Sequence, residues 1–451
     1  MSTQGFIRGA GAGAEEATVL GPSGPGASAS SPSARLRTRG VVGSALLVAA
    51  LGAGASACGA DGNPLAADPY DAADQITFNG PTETGKKADP DKPLEVTVDG
   101  SDGRITDVTA FDTAGRHVSG ELSADGTRWH STSPLAAGAH YTLRVSTEDD
   151  DGSPGRKVLS VDTSKPRTQK RVNVTFGPQG GTYGVGQPIT AELDQPIRDR
   201  AQRAVVESAL RVDSVPSVQG AWYWVDDKHL HYRPKDYWPA HAQIRVHSNL
   251  ENIKLSDRLW GGAAKPLRIT IGDRIVAVTD AAAHTMSVYQ NDKMIKQLPI
   301  TTGKPGFDTR NGVKVVLAKQ YVVRMKSSTV GIAANSSDAY DLDVYYATRV
   351  TWSGEYVHAA PWSVGAQGLA NVSHGCTGMS DGNAAWFFDT VHEGDVVQVV
   401  NSKGHMMEPF GNGFGDWNVS WAKWLQGSAL TTGGKADRPR TEQARLSPQG
   451  L

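Results

Sequence analysis

The feature of the sequence that most limits its fold is a recurring pattern of short runs in which apolar and polar residues alternate. Between residues 94 and 248 these runs include LEVTV, ITDVTAFD, HYTLRV, VNVTF and AQIRV, with Asp, Gly and Pro residues between them. Alternation with a period of two gives a β-strand one apolar face, and many short strands joined by turns are typical of a β-sandwich. The sequence therefore predicts a mainly β protein.

The pattern runs through this segment twice. The stretches GELSADGTRWHSTSPLAAGAHYTLRV and GAWYWVDDKHLHYRPKDYWPAHAQIRV each contain a strand, an acidic turn, a strand, a proline-containing loop and a final strand. This repeat predicts two immunoglobulin-like β-sandwich modules, at residues 91–165 and 166–266. In the second module RDRAQRAVVESALRV has the spacing of a short helix that covers the sandwich edge. Its aromatic residues form either part of the core or a glycan-binding face: Trp222, Tyr223, Trp224, Tyr232, Tyr237 and Trp238.

The composition of the chain excludes several classes of partner. The 451 residues carry 45 Lys and Arg against 47 Asp and Glu, a net charge of -2. A chain so balanced has no field that would attract nucleic acid or an acidic membrane surface, so we expect no nucleic-acid partner. The 51 glycines follow no fixed period, which excludes a collagen-like fibre.

Residues 1–58 have the order of a bacterial secretory signal. A Gly/Ala/Ser/Pro-rich stretch that we expect to be disordered is followed by three arginines between residues 35 and 39, then by VVGSALLVAALGAGASA and Cys58. The apolar run is shorter than the ~20 residues of a membrane span. A cysteine directly after Ala-Ser-Ala resembles a lipobox, although Ala55 stands where Leu is usual. We expect lipidation at Cys58 and a chain anchored outside the cytoplasm on the cell membrane; a plain secreted or signal-anchored chain is the alternative.

The remaining sequence divides into a linker, a third folded unit and an extension. Residues 59–90 are rich in Asp, Gly, Pro and Lys and predict a linker. From 267 to 402 further strand-like runs such as IVAVTD, MSVYQ and VKVVLAKQYVV surround one helix-like run, NAAWFFDTVHEG. Residues 403–451 form a C-terminal extension with a disordered end from about residue 433. Its residues Trp417, Trp421 and Trp424 have the spacing of one helical face, which we expect to pack on the third unit.

Cys376 is the candidate reactive group of the third unit. If Cys58 carries a lipid, Cys376 has no intramolecular partner, and a lone thiol outside the cytoplasm suggests a use. A nucleophilic cysteine needs a base, and His374, two residues earlier, and His358, at the end of a strand-like run, are the candidates. Gly375 permits a tight turn whose N–H groups could face an oxyanion.

Two other readings of Cys376 remain open at this point. A zinc site would need three or four ligands and would have to recruit His392 or His405. A buried, inert cysteine is the other alternative, although the neighbouring residues in NVSHGCTGMS are polar rather than core-like.

The stretch YVHAAPWSVGAQGLANVSHGCTGMS resembles the active-site signature of the L,D-transpeptidases, in which a histidine stands upstream of a Ser-His-Gly-Cys motif. The resemblance extends over about residues 267–402. The order of lipoprotein signal, tandem immunoglobulin-like modules, catalytic domain and tryptophan-containing tail is similar to cell-wall-anchored members of that family. The resemblance implies a mostly β catalytic domain that exchanges peptide bonds in peptidoglycan stem peptides.

The resemblance also implies roles for individual residues. Cys376 matches the nucleophile, and His358 matches a general base oriented by the backbone carbonyl of Ala359. The residues that match the oxyanion side and the rest of the motif are His374, Gly375 and Ser373. The residues that match the substrate-binding positions are Tyr340 as a gate, Ser353 and Gly354 beside the donor stem, and Met325 and Trp362 as pocket walls. One position departs from the family: Gly378 stands where Asn or Arg is usual, so a side-chain contact to the substrate is absent.

The implied reaction joins two stem peptides and needs no metal or organic cofactor. The thiol of Cys376 attacks a tetrapeptide donor, and a second stem acts as the acceptor that resolves the thioester into a 3→3 cross-link. Carbapenem β-lactams are expected to acylate the same thiol. A carboxypeptidase or hydrolase that uses this thiol, and a non-catalytic cell-wall-binding adaptor, are the alternatives. In every case the sandwich modules would act as a spacer between membrane and wall, with a role in cell-wall biogenesis and cell shape.

Overall fold

The computed structural model describes residues 68–81, 85–99, 103–165 and 170–432, and the backbone of 435–436. The predicted signal, the lipobox with Cys58 and the end of the chain lie outside these residues. All described residues belong to one compact unit. Within the described ranges, no helix combines the length and the apolar composition needed to cross a membrane.

The first sandwich consists of two sheets with the orders β1-β9-β8-β4-β5 and β2-β3-β7-β6. Its strands are β1 (Tyr70–Asp71), β2 (Ile76–Phe78), β3 (Glu95–Val98), β4 (Arg104–Asp112), β5 (His117–Val118), β6 (Gly120–Leu122), β7 (Arg128–Ser131), β8 (His140–Glu148) and β9 (Pro154–Asp162). Burial alternates along β8, as its sequence predicts, and the inward side chains enclose a core around Trp129 and Leu143. A short 3-10 helix, Ala72–Asp74, joins β1 to β2.

Part of the segment predicted as a linker is strand. Strand β1 pairs in parallel with β9, and β2 pairs with β3 through Ile76 opposite Val98. The first sandwich therefore begins near residue 70 rather than 91. The apolar residues of ITF pack against the core of the first sandwich, which outweighs the polar composition around them.

The second sandwich also has two sheets, with the orders β14-β15-β12-β10-β18-β17 and β11-β19-β16-β13. Its strands are β10 (Arg171–Gly177), β11 (Gly181–Tyr183), β12 (Ile189–Leu193), β13 (Leu210–Val215), β14 (Gly220–Trp224), β15 (His229–Pro234), β16 (Gln243–Ser248), β17 (Lys254–Ser256), β18 (Leu259–Ala264) and β19 (Leu267–Ile271). Helix α1 (Arg200–Ala209) begins after Asp199, whose side chain accepts from the N–H of Gln202 as an N-cap.

The aromatic residues of the second module belong mainly to its core. Trp222, Trp224, Tyr232 and Trp238 are all buried, which favours the core interpretation over an exposed glycan-binding face. Strand β19, predicted to open the third unit, pairs with β16 and β11 and so belongs to the second sandwich. The boundary between the two units therefore falls after Ile271.

The third unit packs two sheets and one helix around a core of its own. Its strands are β20 (Ile275–Asp280), β21 (Thr285–Gln290), β22 (Lys293–Pro299), β23 (Gly312–Val315), β24 (Ala318–Lys326), β25 (Asp341–Arg349), β26 (Tyr356–Ala359), β27 (Thr377–Met379) and β28 (Val396–Val400). The sheet orders are β22-β21-β20-β28-β23 and β24-β25-β26-β27. Helix α2 (Asp381–Thr390) begins after Ser380, whose side chain accepts from Asn383 N–H, and its Phe387 is buried in the core. Short 3-10 helices lie at Ser327–Val330 and Pro361–Ser363.

The C-terminal extension packs on the second sandwich, so the prediction that its tryptophans pack on the third unit was wrong. It contains a 3-10 helix, Asp416–Asn418, helix α3 (Trp421–Gln426), and strands β29 (Thr431–Thr432) and β30 (Lys435–Ala436). The Arg233 guanidinium lies over the rings of Trp417, Trp421 and Trp424, at 4.8, 5.4 and 4.5 Å from their centroids. The attraction between the Arg233 cation and the three indole faces holds the extension against the second sandwich. The helical spacing of the tryptophans alone could not show which unit they pack against.

The prediction of fold class is confirmed by this architecture: two immunoglobulin-like sandwiches precede a β-rich unit with one short helix and an extension.

Candidate active site

Cys376 and His358 are brought together by two neighbouring parallel strands. In the pairing of β26 with β27, Val357 lies opposite Thr377 and His358 lies opposite Gly378. Cys376 immediately precedes β27 and is therefore level with Tyr356, two residues before His358. Side chains two residues apart on a strand share a face, so the thiol and the imidazole project from the same side of the sheet.

The thiol of Cys376 is held against the start of β26. Its sulfur lies 3.5 Å from the carbonyl oxygen of Gly354, and the half-buried residue packs against the apolar cluster that contains Tyr356. Burial raises the pKa of the Cys376 thiol to about 12, and the Glu355 carboxylate adds to that rise. The hydrogen bond from the N–H of Tyr356 lowers the pKa of the thiol, but by less than burial raises it. The resting form of this cysteine is therefore the neutral thiol.

The imidazole of His358 has a defined tautomer. Its Nδ1 lies 2.7 Å from the carbonyl oxygen of Ala359, and because a carbonyl can only accept, Nδ1 carries the proton. Burial lowers the pKa of His358, which is 5% exposed, so the ring is neutral at neutral pH. The other nitrogen, Nε2, is then a basic lone pair, as a general base requires.

The turn before Cys376 is fixed by side-chain hydroxyls. Gly375 has φ +118, a conformation that residues with a Cβ rarely adopt. The hydroxyl of Ser373 accepts from Gly375 N–H at 3.2 Å and donates to the carbonyl of Cys376 at 2.6 Å. Thr309 Oγ1 donates to the carbonyl of Gly375 at 2.8 Å. The backbone ahead of the thiol is therefore held in one conformation, and the Gly375 N–H is already engaged.

His374 and Tyr340 form one edge of the site. The His374 ring lies 5.2 Å from that of Tyr340 and packs edge-on against Phe307 at 4.8 Å. Its Nε2 is 3.5 Å from Asp338 Oδ1, at the limit of hydrogen bonding, and Asp338 also forms an ion pair with Lys304. Burial raises the pKa of Tyr340, so its phenol stays protonated.

The other predicted substrate-binding residues differ in their exposure to solvent. Trp362 is 60% exposed with its ring 6.1 Å from that of His358, which suits a wall of an open cleft. Ser353 is exposed, and its N–H donates to the side chain of Asn412 in the C-terminal extension. Gly378 is buried and exchanges two backbone hydrogen bonds of 2.9 Å with Thr301. A side chain there would point at Ala360 rather than into an open cleft.

Three charged residues next to the site were missed by the sequence reading. Lys314 and Glu355 are 1% and 7% exposed and form an ion pair of 2.6 Å, with Arg310 beside them. A signal was present for Lys314, which stands within the apolar strand run VKVV, where a charge must be paired if it is buried. In the described part of the chain, no group of three or more His, Cys, Asp or Glu residues could hold a metal ion.

Comparisons with known proteins identify one family. The family model described as L,D-transpeptidase catalytic domain matches residues 274–399, and one described as bacterial Ig domain matches 85–254. L,D-transpeptidase 2 of Mycobacterium tuberculosis (strain CDC 1551 / Oshkosh) is 37% identical over 339 residues, 75% of this chain and 81% of the relative. L,D-transpeptidase 5 of the same species (strain ATCC 25618 / H37Rv) is 30% identical over 408 residues, 87% of each chain.

A solved structure of the LD transpeptidase LdtMt1 in complex with imipenem is 37% identical and covers 50% of this chain and 97% of its own, with a TM-score of 0.44. A match to an L,D-transpeptidase catalytic domain, preceded by a match to a bacterial Ig domain, defines the class of protein as a transpeptidase with immunoglobulin-like modules. The chain belongs to the L,D-transpeptidase family and is a transpeptidase enzyme, which confirms the resemblance found in the sequence.

Proposed function

We propose that this enzyme forms 3→3 cross-links between peptidoglycan stem peptides through a thioester on Cys376. The observation that carries the proposal is the placement of a half-buried thiol and a neutral, oriented imidazole on one face of adjacent strands. Cross-linking of peptidoglycan is the activity that the family implies. The covalent intermediate and the roles of individual residues are the parts that need testing.

The two protonation states suggest how the first half-reaction proceeds. A neutral thiol and a neutral imidazole do not form a resting ion pair, so the sulfur loses its proton to Nε2 of His358 as it attacks the donor carbonyl. A C–S bond forms at the third residue of the donor tetrapeptide. The bond to the terminal D-Ala breaks, and the imidazolium returns the proton to the leaving amine.

In the second half-reaction the amine of another stem attacks the thioester. His358 takes the amine proton, the C–S bond breaks, and the thiol is regenerated as the new amide forms. The negative charge on the carbonyl oxygen needs N–H donors in both halves. Because the N–H of Gly375 already donates to Ser373, we assign the oxyanion contact to the N–H of Cys376 itself.

Residues around the thiol would hold the substrate. Met325 packs against the same apolar cluster as Cys376, Tyr340 lies beside His374, and Trp362 lies beside His358. The carbonyl of Gly354 faces the sulfur, which places the neighbouring backbone near the donor stem. The excluded volume of these side chains would favour the acceptor amine over water.

A related structure supports β-lactam binding as part of this proposal. The LdtMt1 structure is described as a complex with imipenem. We propose that carbapenems acylate Cys376 in this chain, because their strained carbonyl presents the same electrophile to the thiol.

The location of the enzyme is a further part of the proposal. The basic, apolar and small-residue order before Cys58 supports a lipid anchor on the outer face of the cell membrane. Two sandwiches in series between that cysteine and the catalytic unit would carry the active site toward the cell wall. Contacts such as Ala137 N–H to the carbonyl of Asn252, at 2.8 Å, link the two sandwiches.

The test is a product assay with purified disaccharide-tetrapeptide. We expect a cross-linked dimer with the wild-type enzyme and none with Cys376→Ala, which should remain folded because it removes one half-buried sulfur. Tripeptide without dimer in the presence of acceptor would support a carboxypeptidase instead. Binding to cell walls with no product from the folded wild-type enzyme would support the adaptor.

A further inference from the structure

A buried ion pair lies directly behind the thiol. Lys314 on β23 places Nζ 2.6 Å from Oε2 of Glu355, the residue immediately before β26. Arg310 adds its Nη1 at 3.3 Å and its backbone N–H at 3.1 Å, both to Oε1 of Glu355. The Glu355 carboxylate is therefore held on both oxygens.

The backbone of Glu355 is fixed as firmly as its side chain. Its N–H donates to Thr351 Oγ1 at 2.9 Å, and its carbonyl accepts from Val350 N–H at 3.0 Å. Thr351 and Val350 are themselves buried. Movement at residue 355 would have to break contacts to the segment of Arg310 and Lys314 and to Val350 and Thr351, which follow β25.

The residues on either side of Glu355 are those that meet the thiol. The carbonyl of Gly354 lies 3.5 Å from the sulfur of Cys376, and the N–H of Tyr356 also faces it. Gly354 has φ +101 and is followed by a residue locked at both ends, so the glycine hinge cannot reorient its carbonyl freely. The position of the thiol against β26 thus depends on residue 355.

An apolar pair of the same volume would fill this space without desolvating two charges, so packing alone does not require these residues. The two charges also act oppositely on the thiol: the Glu355 carboxylate disfavours the thiolate and the Lys314 ammonium favours it. The other titratable groups that face the thiol are His358, Tyr356 and Tyr340.

We propose that the Lys314–Glu355 ion pair is a positioning device that fixes the backbone of residues 354–356 and thereby holds the Cys376 thiol in line for attack. Glu355 acts through Gly354 and Tyr356 and does not touch the substrate. This inference rests on the proposed role of Cys376 as the nucleophile.

The experiment uses the full chain with Cys58→Ser, so that Cys376 is its one thiol. Two rates are measured for each variant: alkylation by iodoacetamide at pH 9, which reports the thiolate fraction, and acylation by a carbapenem, which reports alignment. In Glu355→Gln we expect faster alkylation, and in Lys314→Met slower alkylation, each on the order of tenfold. Acylation should fall about tenfold or more in both.

Folding and positioning are separated by a double variant, Lys314→Met with Glu355→Leu. It removes both charges and should melt cooperatively, yet acylate about tenfold more slowly than the parent. Thr351→Val, which removes only the hydroxyl that accepts from Glu355 N–H, should slow acylation several-fold. As a control, Arg274→Met removes one partner of an exposed ion pair with Asp292 and should change neither rate.

Acylation within twofold of the parent in both the double variant and Thr351→Val would overturn the proposal. Acylation rates that follow the alkylation rates, rising in Glu355→Gln and falling in Lys314→Met, would also overturn it, because the two charges and not the position of the thiol would then set the rate. If the single variants do not fold, the double variant and Thr351→Val decide. Failure of the nucleophile assignment is seen separately, as a carbapenem adduct that persists in Cys376→Ala.

Discussion

At the scale of single residues, Cys376 and His358 are a neutral thiol and a neutral imidazole rather than a thiolate–imidazolium pair. The enclosing side chains raise the pKa of Cys376 and lower that of His358, so desolvation keeps both neutral. Proton transfer then has to accompany attack on the carbonyl. A neutral thiol is also protected from oxidation, because the thiolate is the oxidisable form.

The pH dependence of acylation follows from these shifts. The base must be neutral, and because burial lowers the pKa of His358 from 6.5, activity is retained down to about that pH and is lost only below it. The thiol does not ionise by itself until strongly alkaline pH. We expect a flat carbapenem acylation rate between about pH 7 and 9, measured by stopped-flow fluorescence. A rise with a midpoint near pH 8.5, the range of an ordinary cysteine, would show that the free thiolate attacks.

The surroundings of Gly378 leave no room for the Asn or Arg side chain that is usual at this position in the family. A Cβ at this position would lie 3.0 Å from Ala360 Cβ and 3.1 Å from Thr301 Cγ2. We expect Gly378→Asn to destabilise the protein by about 1–3 kcal/mol through overpacking, without increasing the rate of cross-linking. Urea denaturation and the product assay measure the two effects. A stable variant with a higher rate would mean that the surrounding strands move to admit the amide.

At the scale of elements, the site depends on how one turn is tied to the strands around it. Thr309, which is 2% exposed, donates to the carbonyl of Gly375 and accepts from the N–H of Gly303 at 2.9 Å. One hydroxyl therefore joins the segment before β23 to the motif that contains Cys376.

Thr309→Val tests this link. The shape of the side chain is kept, but two buried backbone groups lose their partner, so we expect a loss of about 1–3 kcal/mol in unfolding free energy. The carbapenem acylation rate should fall as well, because Gly375 is released. Thr329→Val, at an exposed hydroxyl on the 3-10 helix Ser327–Val330, is the control and should leave both quantities unchanged. Unaltered acylation in Thr309→Val would show that the turn keeps its conformation unaided.

The elements also show what the sequence could and could not predict. Period-two alternation predicts β8 correctly because one of its faces is buried in its own sandwich. The same alternation wrongly placed β19 in the third unit, because its pattern fits a strand of either neighbouring unit. Its pairing with β16 and β11 shows that it belongs to the second sandwich. Within the site, the motif around Cys376 is recognisable from local residue types. The Lys314–Glu355 pair is not, since 41 residues separate its members and the pairing depends on the fold.

At the scale of the whole molecule, the second sandwich, the catalytic unit and the extension form one continuous structure. Gly184 N–H donates to the carbonyl of Glu393, and Gly186 N–H to that of Gly394, both at 2.8 Å. Trp417 Nε1 donates to the carbonyl of Gly186 at 2.8 Å. The extension thus braces the same loop of the second sandwich that contacts the catalytic unit.

A buried carboxylate makes this junction sensitive to pH. Asp395, 1% exposed beside Gly184, accepts from His392 N–H, and burial raises its pKa from 3.8 to about 7. A raised folded-state pKa means that the stabilisation is complete below about pH 4 and is lost as pH rises to about 7. From pH 5 to 8 this residue should cost the wild type about 2–3 kcal/mol.

Asp395→Asn removes that titration while keeping an oxygen that can accept from His392. We expect the stability of the variant relative to wild type to increase by about 2–3 kcal/mol between pH 5 and 8, measured by urea denaturation at both values. A relative stability that does not change with pH would show that Asp395 titrates alike in the folded and unfolded chains.

In the proposed reaction, Cys376 carries the donor peptide as a thioester. The most direct measurement is intact-protein mass spectrometry of the enzyme incubated with a tetrapeptide donor in the absence of acceptor, followed by peptide mapping. We predict a mass increase equal to the donor without its terminal D-Ala, located on the peptide that contains Cys376 and absent from Cys376→Ala. An adduct on another residue, or cross-linking that persists in Cys376→Ala, would show that Cys376 is not the residue that carries the donor peptide.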